Sequence, residues 1–64
     1  MNIEYDRETD SLTIHLREAK IKESDELKPG VVVDFGYDGG GVSIAILHAS
    51  RVVEKTREIR FAVA

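Results

Sequence analysis

The fold is decided by residues 31–47, VVVDFGYDGGGVSIAIL. Two apolar runs flank a glycine-rich segment, which is the strongest β-hairpin signal in the chain. The runs predict strands over residues 31–36 and 42–47, joined by a turn in which Asp38-Gly39 or the following glycines take positive φ. If Asp34 faces solvent, the period-two alternation places six apolar side chains on one core face: Val31, Val33, Phe35, Val42, Ile44 and Ile46.

The opposite face of this predicted hairpin is also apolar. It carries Val32 and Leu47 beside the small side chains of Ser43 and Ala45. A sheet face of this kind needs a cover, which is either a helix of the same chain or another subunit.

A second hairpin is predicted before residue 18. Residues 2–6 and 11–17 each alternate apolar and polar side chains, as half-buried strands do. The short polar segment between them is rich in aspartate, which accepts hydrogen bonds from turn backbone N–H groups. Residues 18–28 are highly charged, so we expect an exposed connection in which only Ile21 and Leu27 touch the sheet edge, followed by the Pro29-Gly30 turn.

The alternation breaks after Leu47, and Ser50 is the predicted N-cap of a short helix over about residues 50–56. Residues 57–64 fit either a strand or a helix, and their β-branched and aromatic side chains favour a strand. The predicted fold class is therefore α+β: a four-stranded antiparallel β-meander of two hairpins, a short helix after strand 4 and a possible C-terminal fifth strand.

The length of 64 residues predicts a single domain, residues 1–64, with a modest core. The chain contains no cysteine. A core of this size leaves only about 3 to 5 kcal/mol of stability, and small domains often add a disulfide, a metal or a second subunit. A disulfide is impossible here, and a zinc site would lack cysteine ligands. We therefore expect a homo-oligomer, with a dimer favoured.

Charge and hydropathy argue against several classes of partner. The formal net charge of −3 repels a phosphate backbone at long range, so we expect no nucleic-acid binding. No apolar run approaches the roughly 18 residues that a membrane span requires, and residues 1–4 lack a basic region followed by an apolar stretch. We expect a cytoplasmic protein that contacts no membrane and needs no cofactor.

Three residues are candidates for a metal or ligand site. Asp6 and Asp10 flank the first predicted turn, and His15 lies on the following strand. Paired carboxylates suit a hard cation or acid–base chemistry, but turn capping explains the two aspartates without any ligand. We expect the capping role, and a small metal- or ligand-binding protein using these three residues is the alternative.

No catalytic motif is present. His48 and Ser50 are two residues apart and do not face each other at a helix start, so they do not form a nucleophile–base pair. The glycines of residues 36–41 precede a strand and not a helix, so they do not form a phosphate-binding loop. We expect a protein that is not an enzyme.

The chain resembles the short prokaryotic proteins of the family known as domain of unknown function 2283. The resemblance covers about residues 3–51 and rests on an ordered set of positions. These are Tyr5-Asp6 with Asp10, Leu12, Ile14 and Leu16; Pro29-Gly30-Val31 and Asp34; then Asp38, a glycine turn, Val42, Ile44, Ile46, Leu47 and Ala49-Ser50. The chain departs from the pattern at Ser43 and Ala45, where similar proteins commonly have glycine and glutamate.

The resemblance implies a compact α+β fold with no established activity. It also implies a protein-binding role as the antitoxin-like member of a gene pair, and it names no binding residue. Because the core is small and both faces of the predicted sheet are apolar, we predict a non-enzymatic protein-interaction module that self-associates. Its predicted interface is formed by Val32, Leu47, Val52, Val53, Ile59, Phe61 and Val63.

Overall fold

A computed structural model of the protein describes residues 1–54. This part of the chain contains five strands and one short helix, in the order β1 (Asn2–Asp6), β2 (Ser11–His15), β3 (Ile21–Lys28), β4 (Val31–Gly36), β5 (Gly41–Ile46) and α1 (Ala49–Val52). All five strands form one antiparallel sheet, in the spatial order β1-β2-β5-β4-β3.

The predicted α+β class and both predicted hairpins are confirmed, but the four-stranded meander is wrong. β5 lies between β4 and β2, so the last strand of the described residues is at the centre of the sheet. This arrangement places the most apolar hairpin between the other described strands and leaves β1 and β3 at the two edges. Residues 57–64, for which a strand or a helix was predicted, lie outside the described residues.

The largest error concerns β3, because an exposed connection was predicted for residues 18–28. Residues 21–28 instead form a strand that pairs with β4, with register shifts between Ile21 and Glu23 and between Glu26 and Lys28. Every side chain of β3 is exposed. A strand that is exposed on both faces shows no apolar alternation, so the periodicity signal fails although the backbone pairing is extensive.

The strand registers define the two faces of the sheet. The apolar face carries Ile3, Tyr5, Leu12, Ile14, Val31, Val33, Phe35, Ile44 and Ile46. The polar face carries Glu4, Thr13, His15, Val32, Asp34, Ser43 and Ala45. Asp34 lies on the side opposite Val31, Val33 and Phe35, which is the orientation assumed for the predicted hairpin. Val42 lies in a register irregularity without a partner in β4, where a regular ladder position was expected.

The core of the described residues is small. Leu12, Val42 and Ala49 are the only buried apolar residues among them, and none of the large side chains there is completely buried. The rest of the apolar face is half-buried. The sheet therefore presents an apolar surface that residues 1–54 cover only in part.

Helix α1 begins one residue earlier than predicted and is shorter. Its N-cap is His48, which has a left-handed backbone conformation with φ 53°. The His48 side chain forms no capping hydrogen bond. Ser50, the predicted N-cap, is the second helical residue. In residues 1–54 no helix has the length and hydropathy needed to cross a membrane.

Gly30 holds the β3–β4 turn in a conformation that other residues rarely adopt. Its φ is +83°, and a Cβ there would lie 3.5 Å from the Leu47 carbonyl oxygen. We expect Gly30→Ala to lower the free energy of unfolding by about 1 to 2 kcal/mol, as measured by urea denaturation. Gly41→Ala is the control, because Gly41 has no positive φ and its nearest neighbour is the Leu16 Cδ1 at an ordinary 3.5 Å. An equal loss in both variants would contradict the prediction.

Candidate functional site

Asp10 links the first hairpin to α1. Its carboxylate accepts hydrogen bonds from the Tyr5 hydroxyl (2.6 Å), the Ser50 hydroxyl (2.6 Å) and the Ser50 backbone N–H (3.1 Å). Its backbone carbonyl accepts from the N–H of Ala49 at 2.8 Å. We call Tyr5, Asp10, Ala49 and Ser50 the clasp. It supplies the hydrogen bonds that the first N–H groups of a helix lack, from a residue almost forty positions away.

The clasp has an electrostatic consequence and a conformational one. The Ser50 hydroxyl, and after it the Tyr5 hydroxyl, lower the pKa of Asp10 below its usual value. Asp10 also has a φ of 51°, a left-handed conformation that aspartate tolerates better than most residues. Asp10 lies in the predicted turn, but its carboxylate accepts from Tyr5 and Ser50 and not from the turn N–H groups that the predicted capping role requires. The Ser50 hydroxyl donates to a carboxylate and is not paired with His48.

A second polar contact closes the opposite end of the sheet. The Arg17 guanidinium forms a two-point contact with Asp38, at 2.8 Å and 2.6 Å, and its Nε donates to the Gly41 carbonyl at 3.0 Å. Asp38 also accepts from the Gly40 N–H at 2.9 Å. The hydrogen bonds from the Arg17 guanidinium, and after them the one from the Gly40 N–H, lower the pKa of Asp38 to about 2. The contact fixes the β4–β5 turn, in which Gly39 has φ 83° as predicted.

The Asp38 contact predicts a specific acid sensitivity. A carboxyl group whose pKa is lower in the folded state stabilises the fold when ionised, so its contribution is lost as the pH falls from the ordinary value of 3.8 toward about 2. We expect Asp38→Asn to lower the melting temperature near neutral pH. The difference in melting temperature from the original chain should become smaller as the pH falls below 3.8. Arg17→Lys should give an intermediate loss, since lysine keeps the charge but not the planar fork. A difference that is constant with pH would contradict the assignment.

The polar face carries a row of side chains across all five strands. In register order these are Asn2, His15, Ser43, Asp34 and Ser24. Asp34 accepts hydrogen bonds from the hydroxyls of Ser24 and Ser43, both at 2.5 Å. The Ser24 hydroxyl, followed by that of Ser43, lowers the pKa of Asp34. The carboxylate thus ties both neighbouring strands to β4.

His15 lies next in this row and lines an open groove of about 710 Å³. Its Nε2 is 3.7 Å from the Glu4 carboxylate, and both side chains are substantially exposed. Since the hydroxyls of Ser24 and Ser43 both donate to Asp34, neither is oriented as a nucleophile toward His15. The row contains serine, histidine and aspartate, as a catalytic triad does. Its serine hydroxyls donate to the aspartate, whereas in a triad the serine donates to the histidine.

The three candidate ligand residues do not form one site. Asp6 pairs with Ser11 at the turn end of the first hairpin, whereas His15 pairs with Asn2 at the other end. The Asp6 carboxylate accepts from the Glu8 N–H at 2.9 Å, as a turn cap does. Within residues 1–54 no cluster of three histidine, cysteine, aspartate or glutamate side chains could hold a metal ion.

The predicted interface residues lie in different places. Val32 is half-buried on the polar face, opposite Ala45 and Glu26. Leu47 is 42% exposed beyond β5, with its N–H bonded to the Gly30 carbonyl, and Val52 is 66% exposed on α1. Val53 is half-buried at the end of that helix. Ile59, Phe61 and Val63 lie outside the described residues.

Sequence reasoning missed two parts of these contacts. Ser24 was placed in a connection, so its bond to Asp34 had no basis in the pattern, although the hairpin register of Asp34 with Ser43 could have been deduced. Arg17 was placed on the polar face of β2 without a partner. No local signal connects it with Asp38, because the two are brought together by the pairing of β2 with β5.

Comparison with known proteins places the chain in a family. A family model described as a protein of unknown function, DUF2283, matches residues 2–50, which contain all five strands and the whole clasp. No curated protein and no solved structure matches the chain. Four of the motif residues that carried the resemblance, Tyr5, Asp10, Ala49 and Ser50, are joined in the clasp. The chain belongs to the DUF2283 family of proteins of unknown function.

Proposed function

We propose that this protein is a non-enzymatic protein-interaction module that self-associates, with a dimer as the simplest assembly. It acts in the prokaryotic cytoplasm as the antitoxin-like member of a gene pair, on a protein partner and not on nucleic acid or a membrane. The observation that supports the proposal is the apolar face, which residues 1–54 cover only in part. Of its nine side chains only Leu12 is buried, and the others remain half-buried.

The energetics favour a cover for this face. Complete burial of one valine, isoleucine or phenylalanine side chain stabilises a structure by about 1.5 to 3 kcal/mol, which is of the same order as the entire stability of a domain this small. A sheet with one apolar face is stable when that face packs against another layer. Helix α1, with four residues, is too short to supply that layer alone.

The polar groups support a structural role over a catalytic one. Asp10, Asp34 and Asp38 each accept two or more hydrogen bonds from the chain itself, and the described structure leaves no buried side-chain polar atom without a partner. The carboxylates therefore hold turns, strands and α1 together. This is the arrangement of a scaffold that presents a surface.

Sedimentation velocity over a wide concentration range tests self-association. We expect a concentration-dependent dimer that Val33→Thr weakens, because Val33 is the middle one of the three apolar-face residues of β4. Leu47→Ser is the matched control, since Leu47 is exposed but lies off that face. A folded protein that stays monomeric at tens of micromolar and above would overturn the self-association. A dimer weakened only by Leu47→Ser would move the interface to the other face.

A small-ligand-binding protein is the second candidate, and the groove beside His15 is the observation that favours it. Asp6 and Asp10 lie at the far end of the hairpin and take no part in that groove. Calorimetric titration with calcium, magnesium, manganese and zinc tests this alternative, with His15→Ala as the matched variant. Heat that disappears in His15→Ala would support it, and the absence of heat together with an unchanged melting temperature would remove the metal-binding version.

A further inference from the structure

We infer that the dimer stacks the apolar faces of two copies so that each β3 lies over the β3 of the second copy. Glu23 of one copy then pairs with Lys28 of the other at the rim. This inference rests on the proposed self-association and names its surface and geometry. It follows from where the charges of β3 lie.

Three charged side chains of β3 point to the apolar-face side of the sheet. Glu23 is opposite Phe35, Asp25 is opposite Val33, and Lys28 is opposite Val31. The register shift between Glu26 and Lys28 brings Lys28 to this side, because strict alternation from Glu23 would place it on the polar side. The apolar face is thus bordered at β3 by a row that is negative at one end and positive at the other.

The opposite border of the apolar face is different. β1 places Ile3 and Tyr5 on this side, opposite Ile14 and Leu12. Two copies can stack face to face about a two-fold axis that runs either along the strands or across them. An axis along the strands would place β3 of each copy over β1 of the other, and the charges of β3 would then face Ile3 and Tyr5 without partners.

An axis across the strands avoids that mismatch. It places each strand over its own counterpart in reversed direction, with Val33 near the axis. Because stacked sheets lie about 10 Å apart, long side chains at the rim can meet across the gap. Glu23 then faces Lys28 of the second copy, and the symmetry repeats the pair. Within one chain Glu23 and Lys28 lie at opposite ends of the row that they form with Asp25, so they are too far apart to pair with each other.

The position of α1 is compatible with this stacking. The helix is attached through Asp10 to the turn between β1 and β2, which lies on the opposite side of β5 from β4 and β3. β4 carries Val31, Val33 and Phe35 on the apolar face. One element of the geometry is unfavourable, since Asp25 approaches Asp25 of the second copy near the axis. This repulsion provides a further test.

A charge exchange tests the geometry by sedimentation velocity on the full chain. We expect Glu23→Lys and Lys28→Glu each to weaken dimerisation about tenfold, because each change turns two attractive pairs into two repulsive ones. The double variant should restore the affinity of the original chain. Asp25→Asn should tighten the dimer. Glu26→Lys is the control, because Glu26 is on the same strand but on the polar side.

The outcomes separate this inference from the proposed function. A dimer that tolerates both single changes, or one that the double variant does not restore, overturns the stacking and leaves self-association intact. A monomer at every concentration overturns both. If a charge-reversed chain fails to fold by circular dichroism, Glu23→Gln and Lys28→Gln replace it, each with a smaller weakening expected; no weakening in either would overturn the pairing.

Discussion

Leu12→Ala is expected to lower the free energy of unfolding by about 3 kcal/mol, the usual cost of removing a buried leucine side chain. Leu12 is 3% exposed and lies in β2, between Tyr5 of β1 and Ile46 of β5. The remaining stability of a domain this small is only about 3 to 5 kcal/mol. The variant should therefore be substantially unfolded near its normal working temperature, as urea denaturation followed by circular dichroism would show.

Leu16→Ala is the matched control for this variant. Leu16 is the same residue type four positions further along the chain, but it is 39% exposed and lies beyond the end of β2. Its truncation should lower the free energy of unfolding by less than about 1 kcal/mol. Similar losses in the two variants would show that Leu12 is not the centre of the core. Protein concentration must be equal in the comparison, because self-association adds to the measured stability.

Asp10→Asn is expected to detach α1 from the hairpin. The carboxylate of Asp10 accepts from the Tyr5 hydroxyl, the Ser50 hydroxyl and the Ser50 N–H, and an amide group presents one acceptor oxygen in place of two. At least one of these donors must then lose its partner. We expect the backbone amides of Ala49 and Ser50 to exchange with deuterium about tenfold faster or more, while the amides of β5 change little.

Asp6→Asn provides the control for the clasp, because Asp6 lies in the same turn and accepts only from the Glu8 N–H. Its effect on the amides of α1 should be negligible. Tyr5→Phe removes a single donor and should give a smaller increase in exchange than Asp10→Asn. If Asp6→Asn and Asp10→Asn accelerate exchange equally, the clasp does not hold the helix.

The two hairpins were predictable because their signal is local. Alternation in residues 2–6 and 11–17, and again in residues 31–36 and 42–47, is dictated by one buried and one exposed face, and the glycines near Asp38 supply the conformation that the turn requires. β3 escaped prediction for the converse reason. It is an edge strand exposed on both sides, so its residues carry the composition of a loop while its backbone satisfies a sheet.

The candidate site was predictable only in its separate parts. Asp10 was predicted to cap a turn and Ser50 to cap a helix, and each assignment used only neighbouring residues. In the structure the two residues form one contact, because Asp10 accepts from the N–H and the hydroxyl of Ser50 at the start of the helix. Arg17 and Asp38 likewise meet only after β2 and β5 pair.

The sequence by itself determined the α+β class, the two hairpins and the alternation of side chains along their strands, since each depends on the pleat and the chemistry of adjacent residues. The tertiary structure alone decided that β5 lies between β2 and β4, that Asp10 holds α1, and that the charges of β3 border the apolar face. These features join residues far apart in the chain. A period-two pattern states which side of a strand is apolar, but not which strand lies beside it.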